Sequence, residues 1–169
     1  MQLRIDPATA MQMAQTIFGS GVSIVSASYT GQSGQAGLYS GALATCPGVA
    51  PSDAGLILST GSVAGFTQVS GDANTSEGTS TDYGAAGDAM LDSVSGQQTH
   101  DAAVLAATFV PAGKVLTMQL VWSSEEYLEY VRSGFNDAVA IWVNGVPAAL
   151  TIGNGDITID NINTTSNEN

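Results

Sequence analysis

VLTMQLVWSSEEYLEYVRSGFNDAVAIWV, residues 115–143, is the stretch on which the reading of this chain turns. Val115, Thr117, Gln119 and Val121 alternate with Leu116, Met118, Leu120 and Trp122, a β-branched and apolar run that predicts a strand covered on both faces. Ala138 to Val143 is a second such run. Between them stand Glu125, Glu126, Glu129 and Asp137, interleaved with Tyr127 and Tyr130. So short a segment forms no domain of its own, and the acids are expected at a strand end. Crowded carboxylates in a half-buried setting must be protonated, splayed apart, hydrogen-bonded or neutralised by a cation. Arg132 brings one positive charge against four acids. The shortfall points to a bound cation. Calcium suits it, since it takes six to eight oxygens at roughly 2.3–2.6 Å, with backbone carbonyls and Asn136 as further donors.

Composition narrows the field. The 169 residues are 44% hydrophobic, enough for a single domain, 1–169, with a sizeable core. Three basic residues face fifteen acidic ones, for a formal net charge of −12. That balance argues against nucleic acid or an anionic membrane as partner. Carboxylates in excess on loops suit calcium, although solubility alone explains the charge equally well. The single cysteine, Cys46, has no internal partner for a disulfide and no second Cys or clustered His for zinc. Abundant Gly, Ser, Thr, Ala and Asn give the chain the cast of a secreted, β-rich bacterial protein. No apolar run reaches the roughly 18–20 residues of a membrane span, so no membrane insertion is expected. The N-terminus shows no charged region followed by an apolar one; any export signal is absent, removed or elsewhere in a longer precursor.

In chain order, Asp6 can cap and Pro7 can open a helix over about 7–18, with Ala10, Met13 or Ala14, and Ile17 on one face. From Val22 the period becomes two, and a β core is expected over about 22–162: strands from Val22 to Tyr29, Ala36 to Tyr39 and Gly55 to Gly61. Residues 70–98 form a long acidic loop rich in Gly, Ser, Thr, Asn and Asp, with Asp82, Asp88 and Asp92 along it and a helical turn anchored by Met90, Leu91 and Val94. It is either solvated or ordered by a metal. Asp101 to Val110 predicts a strand joined by Pro111-Ala-Gly-Lys114 in a hairpin to the run from 115. Asn144-Gly145 turns Ala138–Val143 into Pro147–Ile152, and Ile157 to Ile162 alternates as a last strand. Many short strands, one N-terminal α-helix and frequent turns describe an all-β sandwich of jelly-roll kind.

GLILSTG at 55–61, the opening helix with SGVSIVSASYTG at 20–31, and the block 80–145 carrying SEEYLEY and then FND together resemble the choice-of-anchor L domain family. The resemblance implies a β-rich, extracellular, non-catalytic module of bacterial surface or secreted proteins, of a kind found in large calcium-dependent adhesins. Its matching positions are Glu125, Glu126, Tyr127, Glu129, Tyr130, Phe135, Asn136 and Asp137, with Asp82, Asp88 and Asp101 in the preceding block. Leu128 stands where the family often has proline. Family members usually continue past the point where this chain stops, which implies a domain incomplete at its C-terminus. A complementary strand-bearing segment, or a neighbouring subunit, is then expected to complete the sheet.

The expected function is a calcium-binding adhesion or ligand-binding module at the cell surface, with Glu125, Glu126, Glu129, Asp137, Asn136, Asp101, Asp88 and Asp82 around the metal and Tyr127 and Tyr130 toward a carbohydrate, peptide or protein ligand. The alternative is a structural subunit of a surface fibre or layer. Paired carboxylates could also cleave glycosides. Against that, His100 is the only histidine and no nucleophile motif accompanies it. No catalysis is expected. Trp122 and Trp142 either pack in the core or stack on a ligand.

Overall fold

The structure, a computed structural model, describes residues 3–66, 81–148 and 155–163. Two compact units divide the chain, one of Met1–Ala85 with Asp101–Val121 and one of Ala86–His100 with Trp122–Asn169. Strands in antiparallel pairs dominate, and the helices are few and short. The fold is mainly β. No helix among the described residues is long and apolar enough to cross a membrane.

The first unit holds β1 (Arg4–Asp6), α1 (Ala10–Ile17), β2 (Val22–Thr30), β3 (Ala36–Ser40), α2 (Ala42–Thr45), β4 (Ala54–Leu58), a 3-10 turn (Val63–Phe66) and β5 (Val104–Pro111). β3 lies between β1 and β4, pairing Tyr39 with Ile5 and Leu38 with Leu56. Gly37 permits that sandwiching: a Cβ there would sit 2.5 Å from Ile5 Cγ2 and 3.0 Å from the Asp6 carbonyl oxygen. β2 pairs with β5 from Val22↔Pro111 to Thr30↔Val104, with a bulge where Val25 is skipped. α1 buries Met13 and Ala14 and packs on β2, and Phe18 just beyond it meets Phe109 of β5 with ring centroids 4.6 Å apart.

The helix starts later than the sequence suggests. Thr9, not Asp6, is the N-cap: its hydroxyl accepts from the Gln12 amide at 3.3 Å, while Gln12 Oε1 accepts from the Thr9 amide at 2.9 Å. Asp6 is occupied elsewhere, pairing with Leu38 in β1 and meeting Arg4 Nε at 2.8 Å. The short α2 is an addition to the helices expected, whereas the helical turn anchored by Met90, Leu91 and Val94 is a helix, α3 (Ala89–Ser95), of the second unit.

The larger departure is the run 115–122, which is not a strand. β5 turns away after Pro111 with β2 as its partner, so Pro111–Lys114 closes no hairpin, and every residue from Ala112 to Val121 is exposed, Val115 at 83%. An apolar alternation states that a segment could be covered; it does not supply the neighbour whose amides and carbonyls would fix it as a strand.

The second unit holds α3 (Ala89–Ser95), β6 (Ala138–Val139), β7 (Trp142–Val143), β8 (Val146–Pro147) and β9 (Ile157–Thr158). The predicted strand Ala138–Val143 is thus two, because β6 pairs with β9 and β7 with β8. Asn144 and Gly145, at φ 53° and 76°, make the expected tight turn of the β7–β8 hairpin. The core of this unit centres on Ile157 and Ile159, neither of which exposes any surface. After Thr158 the chain turns, so the last strand is shorter than 157–162. Of the expected acidic loop, 70–80 lies outside the described residues, as does 149–152 of the strand expected after the Asn-Gly turn. Residues 81–98 are more ordered than a loop, since Asp88 caps α3 by accepting from the Met90 and Leu91 amides at 2.8 and 3.3 Å.

Candidate functional site

Residues 122–137, in the second unit, form a loop of successive turns, closed internally by Tyr130 N–H to Glu126 O at 3.1 Å and Ser133 N–H to Tyr130 O at 3.1 Å. Its anchors lie at both ends of the unit's sequence. Tyr127 donates its hydroxyl to the Ile162 carbonyl and accepts from Trp122 Nε1 at 2.9 Å. The Arg132 amide, on a residue in the left-handed region at φ 60°, donates to the Asp160 carboxylate. Asn136 bonds at both ends of its amide: its Nδ2 donates to Ser95 O at 2.7 Å and its Oδ1 accepts from the Asp160 amide at 3.0 Å. These bonds suspend the loop from α3 and from the turn that follows β9.

Within it, one hydroxyl ties the Asp137 carboxylate to the backbone of Glu126. Ser124 Oγ donates to Asp137 Oδ2 at 3.0 Å and accepts from the Glu126 amide at 3.1 Å. Burial pushes the Asp137 carboxyl above the usual carboxylate range, against the opposing pull of the Ser124 hydrogen bond. Glu126 is raised as well, first by burial and then by the charges of Asp137, Glu125 and Glu129. Glu126 Oε2 is buried with no hydrogen-bond partner among the described residues. Both groups therefore gain from a proton or a cation. Glu125 is half-buried and Glu129 exposed.

Around the acids the loop exposes apolar surface. Leu128 is 54% exposed and Phe135 60%, and Tyr130 meets Phe135 edge to face, with centroids 5.6 Å apart and planes at 83°. Tyr130 is thus part of the exposed surface, whereas the Tyr127 hydroxyl is committed inside the unit and burial raises its pKa. Trp122 and Trp142 are half-buried.

The earlier acids have other tasks. In the first unit, Asp82 Oδ1 accepts from the Gly84 amide at 2.7 Å, and Asp101, 6% exposed, receives the Tyr83 and Ala85 amides at 2.9 and 2.6 Å. Gln35 Nε2, fully buried, donates to the Asp101 carbonyl at 2.6 Å. In the second unit Asp88 caps α3, and Asp92 accepts from the Thr99 hydroxyl at 2.6 Å and its amide at 2.7 Å, which lowers its pKa. Among the described residues no group of three or more His, Cys, Asp and Glu side chains is disposed to hold a metal ion. Glu126 meets the charge of Asp137 first and those of Glu125 and Glu129 after it. Ser124, which holds Asp137 and the Glu126 amide, was not singled out from the sequence; a Ser at the start of a loop readily takes the amide two residues on and was there to be read.

The family model described as the choice-of-anchor L domain matches residues 4–169. The match points to a bacterial surface-associated module, in general terms surface-bound or secreted. No curated protein and no solved structure matches the chain.

Proposed function

This chain belongs to the choice-of-anchor L domain family, and from that premise we propose that it is a non-catalytic, ligand-binding module of an extracellular bacterial protein, with the loop 122–137 as its contact face and calcium as the counter-ion of its acids. The observation that carries the reading is two carboxylates raised above their ordinary range: Asp137, raised by burial while bonded to the Ser124 hydroxyl, and Glu126, raised by burial and then by the charge of Asp137, with a buried oxygen lacking a hydrogen-bond partner among the described residues. Glu126 and Asp137 fit a hard cation as a two-carboxylate site, the rest of its shell coming from backbone carbonyls and water. Asn136, Asp82, Asp88 and Asp101 serve the fold, through the bonds already described. Adhesion is the role such a face supports, because exposed rings next to acids offer both apolar area and charge.

Calcium that binds only the folded chain adds ~2.7 kcal/mol of stability at about a hundredfold excess over Kd. Thermal unfolding in calcium and in chelator measures this, and Asp137→Asn with Glu126→Gln should abolish the difference while Asp6→Asn leaves it intact. An equal melting temperature in calcium and chelator removes the cation from the reading. The second reading, a subunit of a surface fibre or layer, draws on the exposed apolar run Val115–Val121. A chain that stays monomeric by light scattering at high concentration counts against it.

A further inference from the structure

We propose that the exposed ridge Leu128, Tyr130 and Phe135 is a docking surface for a basic polypeptide segment, one that presents Arg or Lys beside an apolar side chain. The inference rests on the loop 122–137 being the contact face and names its partner. Three side chains at 54%, 39% and 60% exposure make an apolar ridge on a loop of which both flanks are tied down, by Tyr127 to Ile162 and by Asn136 to Ser95. Such a ridge is held in place before a partner arrives, so little ordering is left to oppose binding. In the edge-to-face pair of Tyr130 and Phe135 the edge of one ring meets one face of the other, and the rest of both rings stays in the exposed surface. Open ring faces attract cations, guanidinium above all.

Charge decides among occupants. Glu129 is exposed, adjoins Tyr130 in sequence and lies outside the Glu126 and Asp137 cation site, and Arg132 is the loop's only cation. A second copy of the chain would bring another net −12 to the surface and be repelled. A neutral glycan would leave Glu129 without a counterpart. A basic segment answers both features at once, its cation on the rings and Glu129 and its apolar neighbour against Leu128.

The test uses the full chain and a labelled synthetic peptide of alternating Arg and Leu, with the same peptide carrying Glu in place of Arg and a neutral β-linked oligosaccharide as comparisons, read by fluorescence anisotropy. The Arg peptide should bind, weaken as salt rises, and lose about tenfold in affinity on Phe135→Ala. Glu129→Gln should weaken it by several-fold, and Asp6→Asn, at an acid of the first unit, should not. Phe135 is exposed, so circular dichroism should show the variant folded. Binding of the Glu peptide or the oligosaccharide with equal affinity, no binding of the Arg peptide, or equal losses for Phe135→Ala and Asp6→Asn would each overturn the assignment. The calcium-dependent melting shift is read separately, through Glu126 and Asp137; if it persists while the peptide result fails, the partner is wrong and the proposed function stands.

Discussion

Replacing Asp101 by alanine should unfold the first unit's neck. The carboxylate is buried and accepts two backbone amides, Tyr83 at 2.9 Å and Ala85 at 2.6 Å. Each amide left buried without an acceptor costs about 1–3 kcal/mol. Asp101 also sits at φ 51°, where an alanine costs roughly 1 kcal/mol more than an Asp or Asn that tolerates the left-handed region. The sum is roughly 3–7 kcal/mol for Asp101→Ala. Asp101→Asn keeps one acceptor and the backbone preference, and should lose about half as much. Urea unfolding followed by far-ultraviolet circular dichroism gives the totals, and amide exchange by NMR locates them, since protection should fall at Tyr83 and Ala85. Because the acid is spent on amides, the loss should be the same in calcium and in chelator. A cost under about 1 kcal/mol, or a loss seen only when calcium is present, would refute the argument and return Asp101 to the metal ligands.

The raised pKa values of Glu126 and Asp137 set a pH dependence: the folded chain holds these protons more tightly than the unfolded one, so without calcium stability should rise as pH falls from neutral through the folded values and level off below the ordinary carboxylate range. Excess calcium should flatten that rise, and Asp137→Asn should shrink it, both read as melting temperature against pH. Gly87→Ala should cost roughly 3 kcal/mol, because the new Cβ would lie 2.0 Å from the Thr99 carbonyl oxygen, whereas Gly113→Ala, with nothing within 4 Å, should be near neutral; paired urea melts compare them. Ile159→Ala, at a side chain with no exposed surface, should lose about 2–5 kcal/mol against almost nothing for Val115→Ala.

The sequence signals that held were those that a segment can satisfy by itself or with one neighbour. The alternation from Val22 gave β2, the run after Asp101 gave β5, the helical turn at Met90, Leu91 and Val94 became α3, and Asn144-Gly145 made its hairpin turn. Signals that needed a distant neighbour misled. The alternation of 115–122 is as regular as that of β2, yet β2 has β5 beside it and 115–122 has no strand beside it among the described residues. Asp6 is as good a cap as Thr9 in isolation, but pairing with Leu38 claims its backbone first. At the site, the crowding of Glu125, Glu126, Glu129 and Asp137 was legible from spacing alone. Which of them have raised pKa values was not, because burial singles out Glu126 and Asp137, and burial is a property of the folded neighbours. Nor were the bonds that Asp101 and Asn136 make to backbone amides, since an oxygen that accepts from an amide and one that binds a metal look the same in sequence.

Asp101 has a wider consequence for how this chain can be divided or shuffled. The chain leaves the first unit after Ala85, contributes Ala86–His100 to the second, and re-enters at Asp101. Departure and return are laced together, because the Asp101 amide donates to the Ala85 carbonyl at 3.1 Å while its carboxylate takes the Ala85 amide. The excursion is an insert with a clamped neck, so neither unit is a continuous stretch of gene. Cutting the chain at any single point yields two fragments, at least one of which lacks part of its own unit. Evolution and engineering alike can therefore move this sequence as a whole but cannot halve it, and exchanging Ala86–His100 alone would take from the second unit the helix that Asn136 holds.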